Sequence, residues 1–272
     1  MSKKLISIIA VIIAILLVAF YVFNAKKIKL PMQLKSAGGV SVSALMSKAV
    51  ELEADGNLIE AKVIYQKLTN DFPGSKDVMS WQKKAEDLNI KILFSPVVTA
   101  KCIVYTIKPG DSLAKIAKEF KTTPELIMKS NNISGEKIFA GRKIKVYNAP
   151  FSILVDKSQN ILILKSDEEI IKSYIVSTGA NNSTPIGTFK IVNKLPNPTW
   201  FKAGAVVASG SPQNILGSRW LGLNLAGYGI HGTTEPQNLG KQATQGCVRM
   251  SNPEVEELYA IVPEGTEVIV ID

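Results

Sequence analysis

The chain holds a single histidine and two cysteines among its 272 residues, and these scarcities narrow its chemistry. Cys102 and Cys247 do not make the disulfide framework that staples small secreted domains. A bridge between them is possible outside the cytoplasm, but it would consume the one thiol able to act as a nucleophile beside the histidine; Cys102 reads more simply as a small buried hydrophobe. Zinc takes three or four protein ligands, whereas the stretch around the histidine offers one imidazole and one thiol, so no metal site is expected.

Charge is missing altogether from Leu5 to Phe23, LISIIAVIIAILLVAFYVF, which matches the ~20 apolar residues needed to cross a hydrocarbon core. A secretory signal peptide has a shorter apolar region followed by small residues, and Phe23-Asn24-Ala25 makes a poor cleavage site. One uncleaved transmembrane helix is therefore expected within residues 1–30, with lysines on both flanks that leave its orientation open. Acidic residues are scarce in the first 150 positions: residues 151–272 carry 9 basic and 11 acidic side chains, so the net charge of +9 belongs to the N-terminal half.

The only histidine and one of the two cysteines come together in Tyr228–Met250, YGIHGTTEPQNLGKQATQGCVRM. A thiol attacks as the thiolate, and an imidazole within reach supplies the base that generates it. Gly-Ile before His231 and Val-Arg-Met after Cys247 read as short strands, and the polar residues between them read as a loop returning one to the other. Gly246 permits a sharp turn and close approach, so its N–H and that of Cys247 are candidate oxyanion donors. From these residues alone a satisfied core histidine and a buried free cysteine remain open.

The upstream chain divides into segments. Residues 43–90 have helical periodicity, with Leu45, Ala49 and Leu52 on one face, a break at Gly56-Asn57, a second helix through Ile64, Tyr65 and Leu68, and a third around Trp81. Ala49, Gly56, Ala61, Tyr65 and Pro73 resemble one tetratricopeptide-like unit; a single such unit rarely makes a groove, so a spacer packed against its neighbours is favoured over a partner-binding module. Ile90 to Val104, apolar and β-branched, reads as a strand or extended connector. Residues 104–148 read as strand, helix, helix, strand, with Ser112 capping the first helix and Thr123-Pro124-Glu125 opening the second. In residues 151–272 three alternating runs, 152–156, 161–165 and 170–177, form an antiparallel meander; 188–192 adds a strand and 267–271 closes the sheet. One helix is marked by Asn252 as cap and Pro253 in its first turn. Trp200 and Phe201, between Pro196 and Asn214, form either a mobile wall of the cleft or part of the core.

Two family resemblances organise these pieces. His-Gly-Thr followed by Thr-Gln-Gly-Cys-Val-Arg-Met, with Ser177-Thr178-Gly179, the segment from Thr184 to Phe189 and Asn214-Ile215-Leu216-Gly217 upstream, resembles the signature of YkuD-type L,D-transpeptidases over 151–272. The resemblance implies a mainly antiparallel β catalytic domain with Cys247 as nucleophile, His231 as base, the Gly232 carbonyl orienting the imidazole, and Thr244, Gln245, Gly246 and Arg249 around the oxyanion and substrate. Gln245 departs from the family, which usually has a second histidine there; an amide donates a hydrogen bond but carries no proton.

Tyr105-Thr106-Ile107-Lys108-Pro109-Gly110-Asp111-Ser112-Leu113, Asn131-Asn132 and Ala140-Gly141-Arg142-Lys143-Ile144 resemble a LysM domain. That resemblance implies a glycan groove near Gly110, Asp111, Ser112, Asn132 and Ile133. The expectation is a multi-domain α+β enzyme of the bacterial cell envelope: a peptidoglycan L,D-transpeptidase, cysteine acyltransferase in class, with no cofactor. Its partners would be stem peptides, glycan strands and a membrane, and not nucleic acid. An L,D-carboxypeptidase and an inert wall-binding adaptor are the alternatives.

Overall fold

The computed structural model describes residues 41–202 and 204–272. The expected transmembrane helix lies outside them; among the described residues no helix is long and apolar enough to cross a membrane.

Three helices come first: α1 Val42–Ala54, α2 Leu58–Asp71 and α3 Val78–Leu93. Gly56, at φ +78°, makes the left-handed turn between α1 and α2 that glycine adopts without strain. Leu45, Ala49, Ala61, Tyr65, Leu68, Trp81 and Leu88 fill a core of their own. The helix α3 runs on through Ile90, Ile92 and Leu93, where the sequence suggested extended chain. Those apolar residues are helical because they are buried, Ile90 and Leu93 in the core of the large sheet, and burial outweighs a propensity difference of a few tenths of a kcal/mol.

The LysM-like module follows as β1 Cys102–Thr106, α4 Leu113–Glu119, α5 Pro124–Ser130 and β2 Lys143–Tyr147, with β1 and β2 antiparallel. Its helix starts are as the sequence suggests: Ser112 accepts from the Lys115 N–H and Thr123 from the Leu126 N–H.

The remaining chain builds an eight-stranded sheet. In chain order its strands are β3 Phe151–Asp156, β4 Ile161–Ser166, β5 Glu169–Ile175, β7 Gly187–Pro196, β10 Arg219–Leu223, β11 Gly229–His231, β13 Val248–Arg249 and β14 Glu267–Ile271. Their spatial order is β13-β11-β10-β7-β14-β3-β4-β5. The last strand joins the sheet from within, between β7, antiparallel, and β3, parallel. Val268 and Val270 are buried there on the same face as Ile153 and Val155, and an edge position would leave that pair half wet. Short strands β6 Thr178–Gly179 and β12 Gln242–Thr244 pair beside the sheet, and β8 Trp200–Lys202 with β9 Ala205–Val207 forms a hairpin. Phe201 on that hairpin is 77% exposed and is no core residue.

Helix α6, Asn252–Ile261, packs on the sheet through Val255, Leu258 and Ile261. Its cap is Ser251, which accepts from the Glu254 N–H, and not Asn252.

The helical segment and the LysM-like module are bolted to the sheet. The edge strand β5 presents unpaired carbonyls, and the buried Asn89 amide donates to two of them, Ile171 O at 2.9 Å and Ile170 O at 3.2 Å. Buried Lys145 of β2 donates to Ile92 O at 2.7 Å and Leu93 O at 3.3 Å, the last carbonyls of α3, where the helix dipole favours a donor cation, and to Ser95 O at 2.8 Å just beyond. Tyr147 stacks on Phe151 with ring centroids 4.8 Å apart and bonds Ser166 at 2.8 Å. Replacing Asn89 with alanine strands both β5 carbonyls, so Asn89→Ala is expected to lower stability by about 1–3 kcal/mol, read as an earlier urea midpoint at unchanged slope.

Candidate active site

Strands β11 and β13 run parallel in the register Ile230↔Val248 and His231↔Arg249. Side chains alternate along a strand, so the buried pair Ile230 and Val248 enters the core and His231, Arg249 and Cys247 belong to the opposite face. The register places Cys247 beside Gly229, two positions along from His231, and the Gly229 backbone lowers the pKa of the thiol. The thiol also reaches Gly227 O at 3.5 Å. The two residues that sequence brought together are thus neighbours on one face.

Both carriers are held hard. Met250 N–H donates to His231 O at 2.8 Å, and Ser177 exchanges two backbone bonds of 2.8 Å with Arg249. The nucleophile sits on a turn tied by Thr244, whose hydroxyl donates to Cys247 O at 2.7 Å and accepts the Gly246 N–H at 3.1 Å. Gly246 has φ +132°, and a Cβ there would lie 2.6 Å from the Tyr228 ring, so only glycine fits. Its N–H is spent inside the turn, which corrects its expected part as an oxyanion donor. Gln245, next to it, is solvent-exposed.

The imidazole is 2% exposed. Its Nδ1 lies 2.7 Å from Gly232 O; a carbonyl only accepts, so the proton is on Nδ1 and Nε2 is the basic nitrogen. The Trp220 ring stacks on it at 5.9 Å. Burial pushes the His231 pKa down to about 4, against the pull of the Gly232 carbonyl, with the Arg249 charge lowering it further. Burial pushes the Cys247 thiol up, and the Gly229 bond and Arg249 oppose that rise. At neutral pH both partners rest uncharged.

Arg249 is 5% exposed and pairs with Glu235 at 2.9 Å, while its Nε has no hydrogen-bond partner. A buried guanidinium donor left unpaired costs desolvation free energy. Sequence reasoning missed Glu235, Trp220, Tyr228 and Asn252, none of which carries a local motif of its own; only their contacts mark them. In the LysM-like module, Gly110 and Asn132 are exposed turn residues and Ser112 is an exposed cap, but Asp111 is bound to the Tyr105 hydroxyl and the Lys108 N–H. Ile133 is 8% exposed and lies in the module's core, so its side chain is not a groove contact. Among the described residues no cluster of His, Cys, Asp and Glu is built to hold a metal.

Folding has a pH signature. The unfolded imidazole takes a proton near pH ~6.5 whereas the folded one waits until about 4, so between these values the unfolded state binds more protons and stability falls as pH falls. The expected loss is roughly 2–4 kcal/mol, visible in urea midpoints measured across that window and absent from His231→Gln.

Residues 150–270 match the family model of the L,D-transpeptidase catalytic domain, and residues 105–146 that of the LysM domain. The chain is 36% identical over 174 residues to the putative L,D-transpeptidase YkuD of Bacillus licheniformis, covering 61% of this chain and 97% of that protein. It is 33% identical over 175 residues to the putative L,D-transpeptidase YkuD of Bacillus subtilis, covering 62% and 98%. It also matches the cell wall-binding protein YocH of Bacillus subtilis, 39% identical over 74 residues, 26% of each chain. Among solved structures, an L,D-transpeptidase from Mycobacterium smegmatis aligns with a TM-score of 0.40 at 18% identity, covering 48% of this chain and 64% of that one. With a catalytic-domain match over residues 150–270 and a relative matched along nearly its whole length, the chain belongs to the YkuD-type L,D-transpeptidase family and is an L,D-transpeptidase that carries a LysM domain.

Proposed function

We propose that the protein remodels peptidoglycan through a covalent thioester on Cys247. The observation that carries this reading is the β11–β13 register, with Cys247 and His231 on one face and the imidazole proton committed to Gly232 O. In the first half-reaction the Cys247 sulfur attacks the carbonyl that joins the third residue of a tetrapeptide stem to its terminal D-Ala. His231 Nε2 takes the thiol proton and returns it to the departing D-Ala amine. In the second half-reaction an acceptor amine, losing its proton to Nε2, attacks the thioester carbonyl, and the sulfur leaves with that proton. The Cys247 N–H and the exposed Gln245 amide are the candidate donors to the tetrahedral oxyanion, and Arg249 is the candidate cation beside the substrate. No cofactor enters the scheme.

The LysM domain is the glycan-holding part in this reading, through the exposed turns at Gly110, Ser112 and Asn132. Its basic excess, nine basic against four acidic residues over 105–147, suits an anionic wall polymer. An apolar span at Leu5–Phe23 would tether the enzyme at the membrane, with the remaining chain in the wall.

Incubating the full-length protein with a disaccharide-tetrapeptide and following mass tests the scheme. Cross-linked dimer is expected. Tripeptide alone would make it an L,D-carboxypeptidase with water as acceptor, and unchanged substrate with retained wall binding would make it an adaptor. Cys247→Ala is expected to lose all turnover and His231→Gln to lose at least ~100-fold, the usual share of a general base. Normal turnover by Cys247→Ala would remove the thioester.

A further inference from the structure

Because Ser251 caps α6, the Asn252 side chain is free to turn back onto the sheet. Its Oδ1 accepts two backbone N–H groups, Ser218 at 3.1 Å and Thr233 at 3.0 Å. These donors belong to two separate loops, Leu216-Gly217-Ser218 and Gly232-Thr233. The second loop also presents a carbonyl to the imidazole, Gly232 O at 2.7 Å from Nδ1. One amide oxygen thus ties the segment that holds the base to the neighbouring Leu216-Gly217-Ser218 loop.

The surroundings are shaped for that oxygen. A Cβ on Gly217 would lie 2.2 Å from Asn252 Oδ1, and one on Gly232 would lie 2.2 Å from the same atom. Backbone also stands close, with Thr233 N 2.4 Å from the first of those positions and Ser218 N 3.0 Å from the second. Gly217 also has φ +65°, which an L side chain rarely adopts. Two glycines are therefore required where the two loops converge on one side chain.

We propose that Asn252 is a positioning residue of the acyl-transfer site: by fixing the Gly232 carbonyl it holds His231 as the Nδ1–H tautomer, leaving Nε2 bare to take the Cys247 proton. The assignment rests on reading His231 as the base. An imidazole protonated on Nε2 would be a donor toward the sulfur and no base at all. Second partners of this kind, which orient a working imidazole through its other nitrogen, are worth about 10–100-fold in activity where they have been removed from metal sites.

The single histidine makes the test direct, because full-length protein labelled with heavy nitrogen at histidine gives one imidazole spectrum, read without substrate. Wild type is expected to show a protonated Nδ1 and a bare Nε2. In Asn252→Ala the two tautomers mix and kcat on the tetrapeptide falls about 10–100-fold with KM nearly unchanged. Asn252→Asp, which keeps the acceptor, restores the single tautomer and most of kcat. A wild-type tautomer in Asn252→Ala overturns the assignment, and so does an Asn252→Asp protein as impaired as Asn252→Ala. Should Asn252→Ala not fold, Asn252→Ser carries the same comparison. Turnover by Cys247→Ala would instead remove the catalytic reading and leave the tautomer result standing.

Discussion

The catalytic face depends on one short parallel pairing, β11 with β13. Two residues per strand cannot hold a register alone, so it is enforced from both sides. On the core side Ile230 and Val248 are fully buried; a slip of one residue would send His231 and Arg249 inward and those two outward. On the other side Ser177 grips Arg249 by two backbone bonds. The position of the thiol relative to the imidazole is thus a by-product of where two aliphatic side chains are buried, and the Thr244–Cys247 turn adds only the direction in which the sulfur points.

That face is carried by a body larger than the catalytic sheet. Ile90 and Leu93 of the helical segment and Leu126 and Tyr147 of the LysM domain lie in the same apolar cluster as the strands. Separating the parts would expose those four side chains at roughly 1.5–3 kcal/mol each, besides freeing the Asn89 and Lys145 bonds. The wall-binding domain is consequently not a bead on a flexible linker. In the proposed reading a glycan held at its turns would reach the site in a geometry set by packing, which suits positioning of the stem peptide more than simple tethering does.

What the sequence made legible and what it hid divide along a physical line. Ser112 and Thr123 could be read as caps because capping is settled within four residues, and the alternation of β3 to β5 announced its own faces. The His231–Cys247 pairing was readable because both residue types are scarce and flank two strand-like runs. The place of β14 was not readable, since its neighbours β3 and β7 lie far away in the chain and only burial on both sides selects the middle of the sheet. Ile90 to Leu93 misled for the same reason, an apolar run made helical by a remote core. Asn252 misled more subtly: asparagine before proline at a helix start is a cap by every local rule, yet Ser251 outcompetes it and the amide serves two distant loops. The Gly246 N–H was a reasonable oxyanion donor until the Thr244 hydroxyl claimed it.

The charges around the pair explain why the resting site is quiet. His231 is held down to about 4 and the thiol is raised, both chiefly by burial, so the ion pair is disfavoured before substrate arrives. Arg249, cross-strand from the imidazole, acts in two opposed directions: it favours the thiolate and disfavours the imidazolium. Half-exposed Glu235 offsets part of that charge on Nη1, while Nε is left without a partner. Arg249 therefore acts on the pair from inside the fold, biasing the sulfur toward its thiolate while Glu235 tempers what the guanidinium does to the imidazole.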